Sequence, residues 1–248
     1  MNTCTNCSIT FTGSYCNKCG QKINSGRIYF KELIHDFFGG YFHLDSPPLL
    51  TIKTLTTNPG FLIREFIDGK RKKYHKPVHY FILAIAFYLI IRTLLHFDPI
   101  VNQYKAMGKE LPSPEVMNTV PMLASSILAK NINLLLFVFV FIFSAFTKLF
   151  FRKSGYNYIE HLVFSFFTIG HYVLLSVFVM PLSFIDPKLI YLTYLVQIGY
   201  LSFSLISFHK PKIFIGILKS VVAVIFSFSI YVTIVYTAVI YYVILFLR

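Results

Sequence analysis

The fold class follows from "VHYFILAIAFYLIIRTLLHF", residues 78–97, which contains one arginine and no carboxylate. A helix needs about 20 predominantly apolar residues to cross about 30 Å of hydrocarbon, and this run has that length. Similar apolar runs follow at residues 132–151, 161–182, 189–208 and 220–247. The sequence therefore predicts an all-α integral membrane protein, with about five transmembrane helices in a helical domain over residues 78–248.

The composition agrees with a membrane protein. Of the 248 residues, 56% are hydrophobic and 13% are charged, whereas a soluble domain has about 25% charged residues. The net charge of +13 raises the question of nucleic acid as a partner, but many lysines and arginines lie beside the apolar runs. Basic residues in that position set topology and contact anionic headgroups. The lipid bilayer is therefore the expected partner, and nucleic acid is disfavoured.

All four cysteines of the chain lie near its beginning, in "CTNCSITFTGSYCNKCG", residues 4–20. Two Cys-x2-Cys pairs separated by eight residues can converge on one tetrahedral ion, and in a reducing compartment the expected ion is Zn2+. The predicted ligands are Cys4, Cys7, Cys16 and Cys19. Four thiolates leave no coordination position for water or substrate, so the predicted zinc site is structural. Residues 1–26 have too few apolar residues for a core, and a metal-held zinc-ribbon knuckle with a linker is expected.

Residues 27–77 are expected to form amphipathic helices with a basic block at their end. In "RIYFKELIHDFFGGYFH", residues 27–43, apolar residues recur at helical spacing opposite polar ones. That helix is too short and too charged to span, so it lies in the membrane interface or packs on the protein's own helices. The basic block before the first span is expected against lipid headgroups. It consists of Lys70, Arg71, Lys72, Lys73 and Lys76.

The distribution of charge predicts the topology. The first residues lack the charged, apolar and small-residue regions of a signal peptide, so we expect the amino terminus to stay in the cytoplasm. With that orientation, basic residues flank the spans more often on the cytoplasmic side than on the opposite side. Five spans then place the carboxyl terminus outside. The last run is long for one crossing, which predicts a tilted or protruding helix.

A histidine and a glutamine fall deep inside the predicted spans. His171 lies near the middle of the third span and Gln197 near the middle of the fourth. Polar groups at membrane depth are candidates for function, and this pair suggests a small-solute or lipid transporter. The favoured alternative is that both side chains hydrogen-bond to neighbouring helices and hold the bundle together.

A lipid-modifying enzyme at the membrane interface is a further hypothesis. It would use His35, Asp36, His43 or the pair Glu160 and His161. The spacing of these residues does not demand such a site, and the sequence contains neither a phosphate-cradling loop nor a nucleophile motif. The sequence leaves enzymatic activity undecided and favours its absence.

Three motifs occur in a distinctive order: "CTNC…YCNKCGQK", then "RIYFKELIHDFFGGYFHLDS", then "TLTTNPGFLIREFIDGKRKKYHKPVHYF". In this order they resemble an uncharacterised bacterial membrane family called domain of unknown function 3667. The resemblance covers about the first 95 residues, and the later "GYNYIEHLVFSFF" is also similar to that family. It implies a zinc-ribbon-tipped protein of the bacterial inner membrane, and it brings no catalytic residues.

The leading functional hypothesis is a non-enzymatic membrane scaffold or adaptor. Its zinc ribbon and basic block would face the cytoplasm and dock a protein or an anionic lipid. The transporter and the lipid-modifying enzyme are the alternatives. Whether the chain forms a homo-oligomer stays open.

Overall fold

The computed structural model describes residues 2–22, 28, 30 and 48–246. The predicted amphipathic helix over residues 27–43 lies outside the described residues except at two positions, and so do His35, Asp36 and His43. An antiparallel pair of two-residue strands, β1 (Asn2–Thr3) and β2 (Thr10–Phe11), belongs to the cysteine-rich tip. The helices that follow are α1 (Pro48–Thr57), α2 (Pro59–Ile67), α3 (Pro77–Leu94), α4 (Pro99–Ala106), α5 (Pro114–Met117), α6 (Val120–Phe150), α7 (Tyr158–Ser176), α8 (Leu192–His209) and α9 (Ile213–Phe246).

Local sequence explains where several helices begin. Helices α1 to α5 each start with proline, whose fixed φ suits the first helical position and whose missing N–H is not needed there. Asn58 caps α2, with its side chain accepting a hydrogen bond from the Phe61 amide at 3.1 Å. Asn157 and Glu160 form a reciprocal capping box at the start of α7.

Helix α7 is the centre of the bundle, because α1, α2, α3, α6 and α8 all pack against it. Every residue of α7 from Glu160 to Val173 is buried. Edge-to-face contacts between aromatic rings join α7 to its neighbours. Phe66 of α2 packs on Phe167 with ring centroids 5.4 Å apart, and Phe81 of α3 packs on Phe166 with centroids 5.5 Å apart. A helix that is apolar on all sides is suited to such a buried position.

The number of candidate spans agrees with the prediction. Among the described residues, four helical segments are long and apolar enough to cross a membrane: Pro77–Leu94, Tyr158–Phe184, Pro187–His209 and Ile213–Phe246. A fifth is present if the two parts of α6, Val120–Asn131 and Leu135–Phe150, count as one span despite the 85° bend between them. The protein is thus a helical membrane protein with four to five candidate spans.

The boundaries of several elements differ from the predicted ones. The last helix begins at Ile213 rather than near residue 220, so "IFIGILK" forms its first turns. The segment 98–131, which lies between the first two predicted spans, contains α4, α5 and the first part of α6. Pro99 and Pro114 start the short helices α4 and α5, and Asp98 caps α4.

Helices α1 and α2 do not lie apart from the bundle. Leu55, Leu62 and Ile63 are fully buried, and they belong to the same core as residues of α7 and α8. The contact of α2 with α8 is so close that a Cβ built on Gly60 would lie 2.2 Å from the backbone of Ser207. The Gly60 amide donates to the Ser207 Oγ at 3.0 Å. These two helices are therefore structural parts of the membrane domain.

Candidate metal centre and polar clusters of the bundle

The four cysteine sulfurs converge at the tip of the chain. Cys4 Sγ lies 3.6 Å from Cys19 Sγ, and Cys7 Sγ lies 3.5 Å from Cys16 Sγ. All four sulfurs lie within 4.8 Å of one another. Tetrahedral zinc with Zn–S bonds of about 2.3 Å separates its sulfurs by about 3.8 Å. The cluster therefore fits a metal ion bound by four thiolates.

The two Cys-x2-Cys pairs are held by matching turns. The Ser8 amide donates to the Cys4 carbonyl at 2.8 Å, and the Gly20 amide donates to the Cys16 carbonyl at 2.9 Å. Each donor follows the second cysteine of its pair and has a left-handed backbone, with φ of 59° at Ser8 and 66° at Gly20. Glycine adopts this conformation at little cost, whereas Ser8 bears a steric cost of about 1 kcal/mol. The turns aim both sulfurs of each pair at a common centre.

The electrostatics of the cluster favour a cation. The Cys16 pKa is lowered to about 6, chiefly by the Cys19 amide, so this thiol ionises readily. The Ile9 amide favours the Cys7 thiolate, but desolvation and the neighbouring sulfurs outweigh it and raise the Cys7 pKa to about 12. Several thiolates at these separations repel one another unless a positive ion lies between them. A bound metal ion would supply that charge.

The tip is attached to the rest of the protein through Gln21. Its buried side chain donates to the Gly69 carbonyl at 2.7 Å and to the Thr5 Oγ1 at 2.9 Å. Its Oε1 accepts from the Lys72 amide at 3.3 Å. The Thr5 hydroxyl also donates to the Gly69 carbonyl, at 3.2 Å. The cysteine cluster therefore sits directly on the loop that carries the basic block.

The basic block is organised by one carboxylate, Glu65. Its oxygens accept from Lys70 Nζ at 2.5 Å, from Lys73 Nζ at 2.7 Å and from the Tyr74 hydroxyl at 2.6 Å. Burial alone would raise the pKa of Glu65, but these three donors outweigh burial and lower that pKa to about 2. Two of the five predicted headgroup-binding residues are thus paired within the protein, while Lys72 is exposed.

This network predicts an acid-sensitive contribution to stability. The pKa of Glu65 in the folded protein is lower than its unfolded value of about 4.3. The contribution of Glu65 to the free energy of unfolding is therefore complete above about pH 4.5 and is lost as the pH falls towards 2. Glu65→Gln should lack that contribution, which we expect to be on the order of 1 kcal/mol after solvent screening. Thermal unfolding of the purified protein and the variant between pH 6 and pH 3 measures it. Parallel curves for the two proteins would contradict the prediction.

His171 ties four helices together. The Thr56 hydroxyl of α1 lies 3.1 Å from its Nε2, and the Tyr80 hydroxyl of α3 lies 2.6 Å from its Nδ1. The Tyr200 ring of α8 is 5.0 Å away, and the Tyr200 hydroxyl donates to the Leu55 carbonyl at 3.1 Å. Both ring nitrogens of His171 therefore have partners from other helices, an arrangement that holds a bundle together.

Gln197 lies in a different environment. It lines a cavity of about 300 Å³ in the half of the bundle formed by the last turns of α7 and the first turns of α8. Its side chain is only 5% exposed, and its Nε2 has no hydrogen-bond partner among the described residues. His171 is not among the cavity residues. The two residues that the transporter hypothesis joined in one site therefore do not line this cavity together.

A stack of aromatic rings surrounds His161 at the start of α7. The His161 Nδ1 lies 3.0 Å from the Thr147 hydroxyl, and the His161 ring stacks on His209 at 5.2 Å. His209 in turn stacks on Phe151 at 4.2 Å. Glu160 accepts from the Asn157 amide at 2.7 Å as part of the capping box. The two described residues of the predicted interfacial enzyme site are therefore engaged in helix capping and packing.

The fold and the cluster define a class: a helical protein with several apolar helices that fit a multi-pass membrane protein, tipped by four cysteines that could hold a metal ion. The family described as "Protein of unknown function (DUF3667)" matches residues 49–89. This match confirms the resemblance over α1, α2, the basic block and most of α3, and it lies outside the cysteine cluster. Neither a curated protein nor a solved structure matches the chain.

Proposed function

We propose that this protein is a non-enzymatic membrane scaffold of the bacterial inner membrane, with a structural Zn2+ bound by its four cysteines. Its working surface, which we call the docking platform, comprises residues 4–22 and 69–76. The platform faces the cytoplasm and docks the headgroups of anionic lipids. The observation that carries the proposal is the attachment of the cysteine cluster to the basic loop through Gln21.

The charge at the platform end of the bundle supports an anionic occupant. Arg64 donates to the carbonyls of Ser207 and Phe208, which places the end of α8 beside α2. His209 stacks on Phe151, so the end of α6 lies there as well. The exposed basic residues that share this end are Lys18, Lys22, Lys72, Arg152, Lys153, Lys210, Lys212 and Lys219. Of the acidic residues described at this end, Glu65 and Glu160 are bound in local networks, and Asp68 is exposed, so the basic residues outnumber the free carboxylates.

The opposite end of the bundle is balanced in charge. Among the described residues, four acidic and five basic residues lie there, so the two signs nearly cancel: Asp98, Glu110, Glu115 and Asp186, with Arg92, Lys105, Lys109, Lys130 and Lys188. An excess of lysine and arginine marks the cytoplasmic side of a membrane protein, which supports a cytoplasmic platform. If α6 counts as one span, the five helices alternate in direction and end α9 on the outer side.

Hydrogen exchange of the full-length protein in nanodiscs tests the proposal. Adding phosphatidylglycerol to phosphatidylethanolamine discs should slow exchange in peptides covering residues 4–22 and 69–76. A triple variant with Lys18, Lys22 and Lys72 changed to glutamine should lose that lipid-dependent protection. Each lysine near an anionic surface contributes about 1 kcal/mol to binding. The three substitutions together should therefore weaken the affinity of the docking platform for anionic lipid by roughly 100-fold.

The matched control removes the same charge from the other end, with Lys105, Lys109 and Lys188 changed to glutamine. This control should keep the protection of the platform peptides. Equal exchange in both kinds of disc would overturn anionic headgroups as the occupant. In that event, protection that appears only on adding a co-purified cytoplasmic protein would identify a protein partner instead.

A further inference from the structure

We propose that the cavity beside Gln197 binds an acyl chain from the bilayer and that the Gln197 side chain donates a hydrogen bond to the carbonyl at the head of that chain. This site lies at the end of the bundle away from the docking platform, and its occupation is independent of the proposed function.

The shape and lining of the cavity fit an apolar chain. Its volume of about 300 Å³ is at the lower limit for small-molecule sites, which are mostly apolar with a few placed polar groups. Aromatic and aliphatic side chains from α3, α6, α7, α8 and α9 form its wall, including Tyr88, Leu136, Tyr172, Phe228, Tyr231 and Val235. None of the described residues that line it is charged. The part of a ligand that enters must therefore be uncharged.

The unpartnered amide of Gln197 specifies the polar end of the ligand. A buried N–H group without a hydrogen bond costs a few kcal/mol, and water in the hydrocarbon region is scarce. The Nε2 of Gln197 is buried without a partner among the described residues, on a helix face that lines the cavity. A ligand with a hydrogen-bond acceptor removes this cost. The carbonyl of an acyl chain is an uncharged acceptor that is joined to an apolar chain.

The mouth of the cavity faces the side of the bundle. Tyr191, Tyr194 and Val232 line the cavity and are also exposed, at 42%, 47% and 44% of their surface. Tyr194 belongs to α8 and Val232 to α9, so the opening lies between these two helices. Tyrosines are common at the level of lipid headgroups. A chain can therefore enter laterally from the bilayer and bring its carbonyl to Gln197.

Photolabelling of the full-length protein in nanodiscs tests the site with three probes. The probes are a 16-carbon fatty acid with a diazirine in its chain, the methyl ester of that acid, and the corresponding alkane. Mass spectrometry should find the acid or the ester attached to cavity residues such as Val173 and Val235. Labelling by the ester identifies an esterified lipid chain as the source, and labelling by the acid alone identifies a free fatty acid bound in its protonated, uncharged form.

Gln197→Leu removes the hydrogen-bond donor and keeps a side chain of similar volume. It should reduce labelling of the cavity by the acid and the ester about tenfold, because one buried hydrogen bond contributes about that factor to binding. Labelling by the alkane should not fall. Val235→Phe, which fills the cavity, should block all three probes and covers the case in which Gln197→Leu folds poorly. Ser202→Ala is the matched control, because the Ser202 Oγ is also buried and unpartnered on α8 but lies outside the cavity.

Two results would overturn the proposal. One is labelling spread evenly over the lipid-facing surface and unchanged in Val235→Phe. The other is alkane labelling as strong as ester labelling in the unaltered protein, because the cavity would then not recognise a carbonyl.

Discussion

Replacing Cys4 or Cys16 by serine should reduce bound zinc from about one ion per chain to none. Each cysteine supplies one of four sulfurs that lie within 4.8 Å of one another. A metal site with four cysteine ligands no longer has a complete tetrahedron once one of them is replaced. A structural zinc contributes roughly 10–16 kcal/mol to the folding of such a small unit. We therefore expect residues 2–22 to unfold as well. Elemental analysis of the purified protein measures the zinc.

Ser14→Ala is the control for this experiment, because Ser14 is exposed in the same segment and is not a sulfur ligand. It should retain the full amount of zinc. Membrane insertion should be unaffected in all variants, because the spans begin only at Pro77. Stoichiometric zinc in Cys4→Ser or Cys16→Ser would refute the assignment of the cluster as the metal site.

Gly60→Ala should strongly destabilise the membrane domain. The added Cβ would lie 2.2 Å from the carbonyl carbon and oxygen of Ser207 and 2.4 Å from the Phe208 nitrogen. These are backbone atoms at the end of α8, so they can move away only if the two helices separate. Overpacking costs about 1–3 kcal/mol even where side chains can adjust. We expect the unfolding temperature in detergent to fall by roughly 5–10 °C.

Gly199→Ala supplies the comparison on the facing helix. A Cβ at Gly199 meets no atom within 4 Å, and alanine is favoured over glycine inside a helix by roughly 0.5–1 kcal/mol. This variant should therefore be as stable as the unaltered protein or slightly more stable. If Gly60→Ala behaved like Gly199→Ala, the close contact between α2 and α8 would be wrong.

The class of fold was predictable because hydrocarbon imposes a simple length requirement on a helix. The cysteine cluster was predictable for a similar reason, since Cys-x2-Cys spacing brings sulfurs together with few other constraints. The environment of Gln197 was not predictable, because the cavity arises only where five helices meet. The partners of His171 were hidden likewise: Thr56 and Tyr80 are 115 and 91 residues away along the chain.

The role of α1 and α2 was also hidden in the sequence. Their periodicity indicates one apolar face each, and such a face can be covered by lipid or by protein. In the structure these faces are covered by protein, as the close approach at Gly60 and the hydrogen bonds from Arg64 to the end of α8 show. Both contacts involve residues more than 140 positions later in the chain. Gln21 was likewise visible only as a polar residue after the last cysteine pair. Its contact with Gly69 depends on the turn after α2.

The contact between Gly60 and Ser207 has a consequence for how the protein is made. The two residues are separated by 147 positions, and a ribosome that adds about 5–20 residues per second needs on the order of ten seconds to bridge them. During that interval the apolar faces of α1 and α2 have no partner from α8. Helices α1 and α2 are thus synthesised well before their packing is completed, and we expect the membrane or a chaperone to cover their apolar faces until α8 has been inserted.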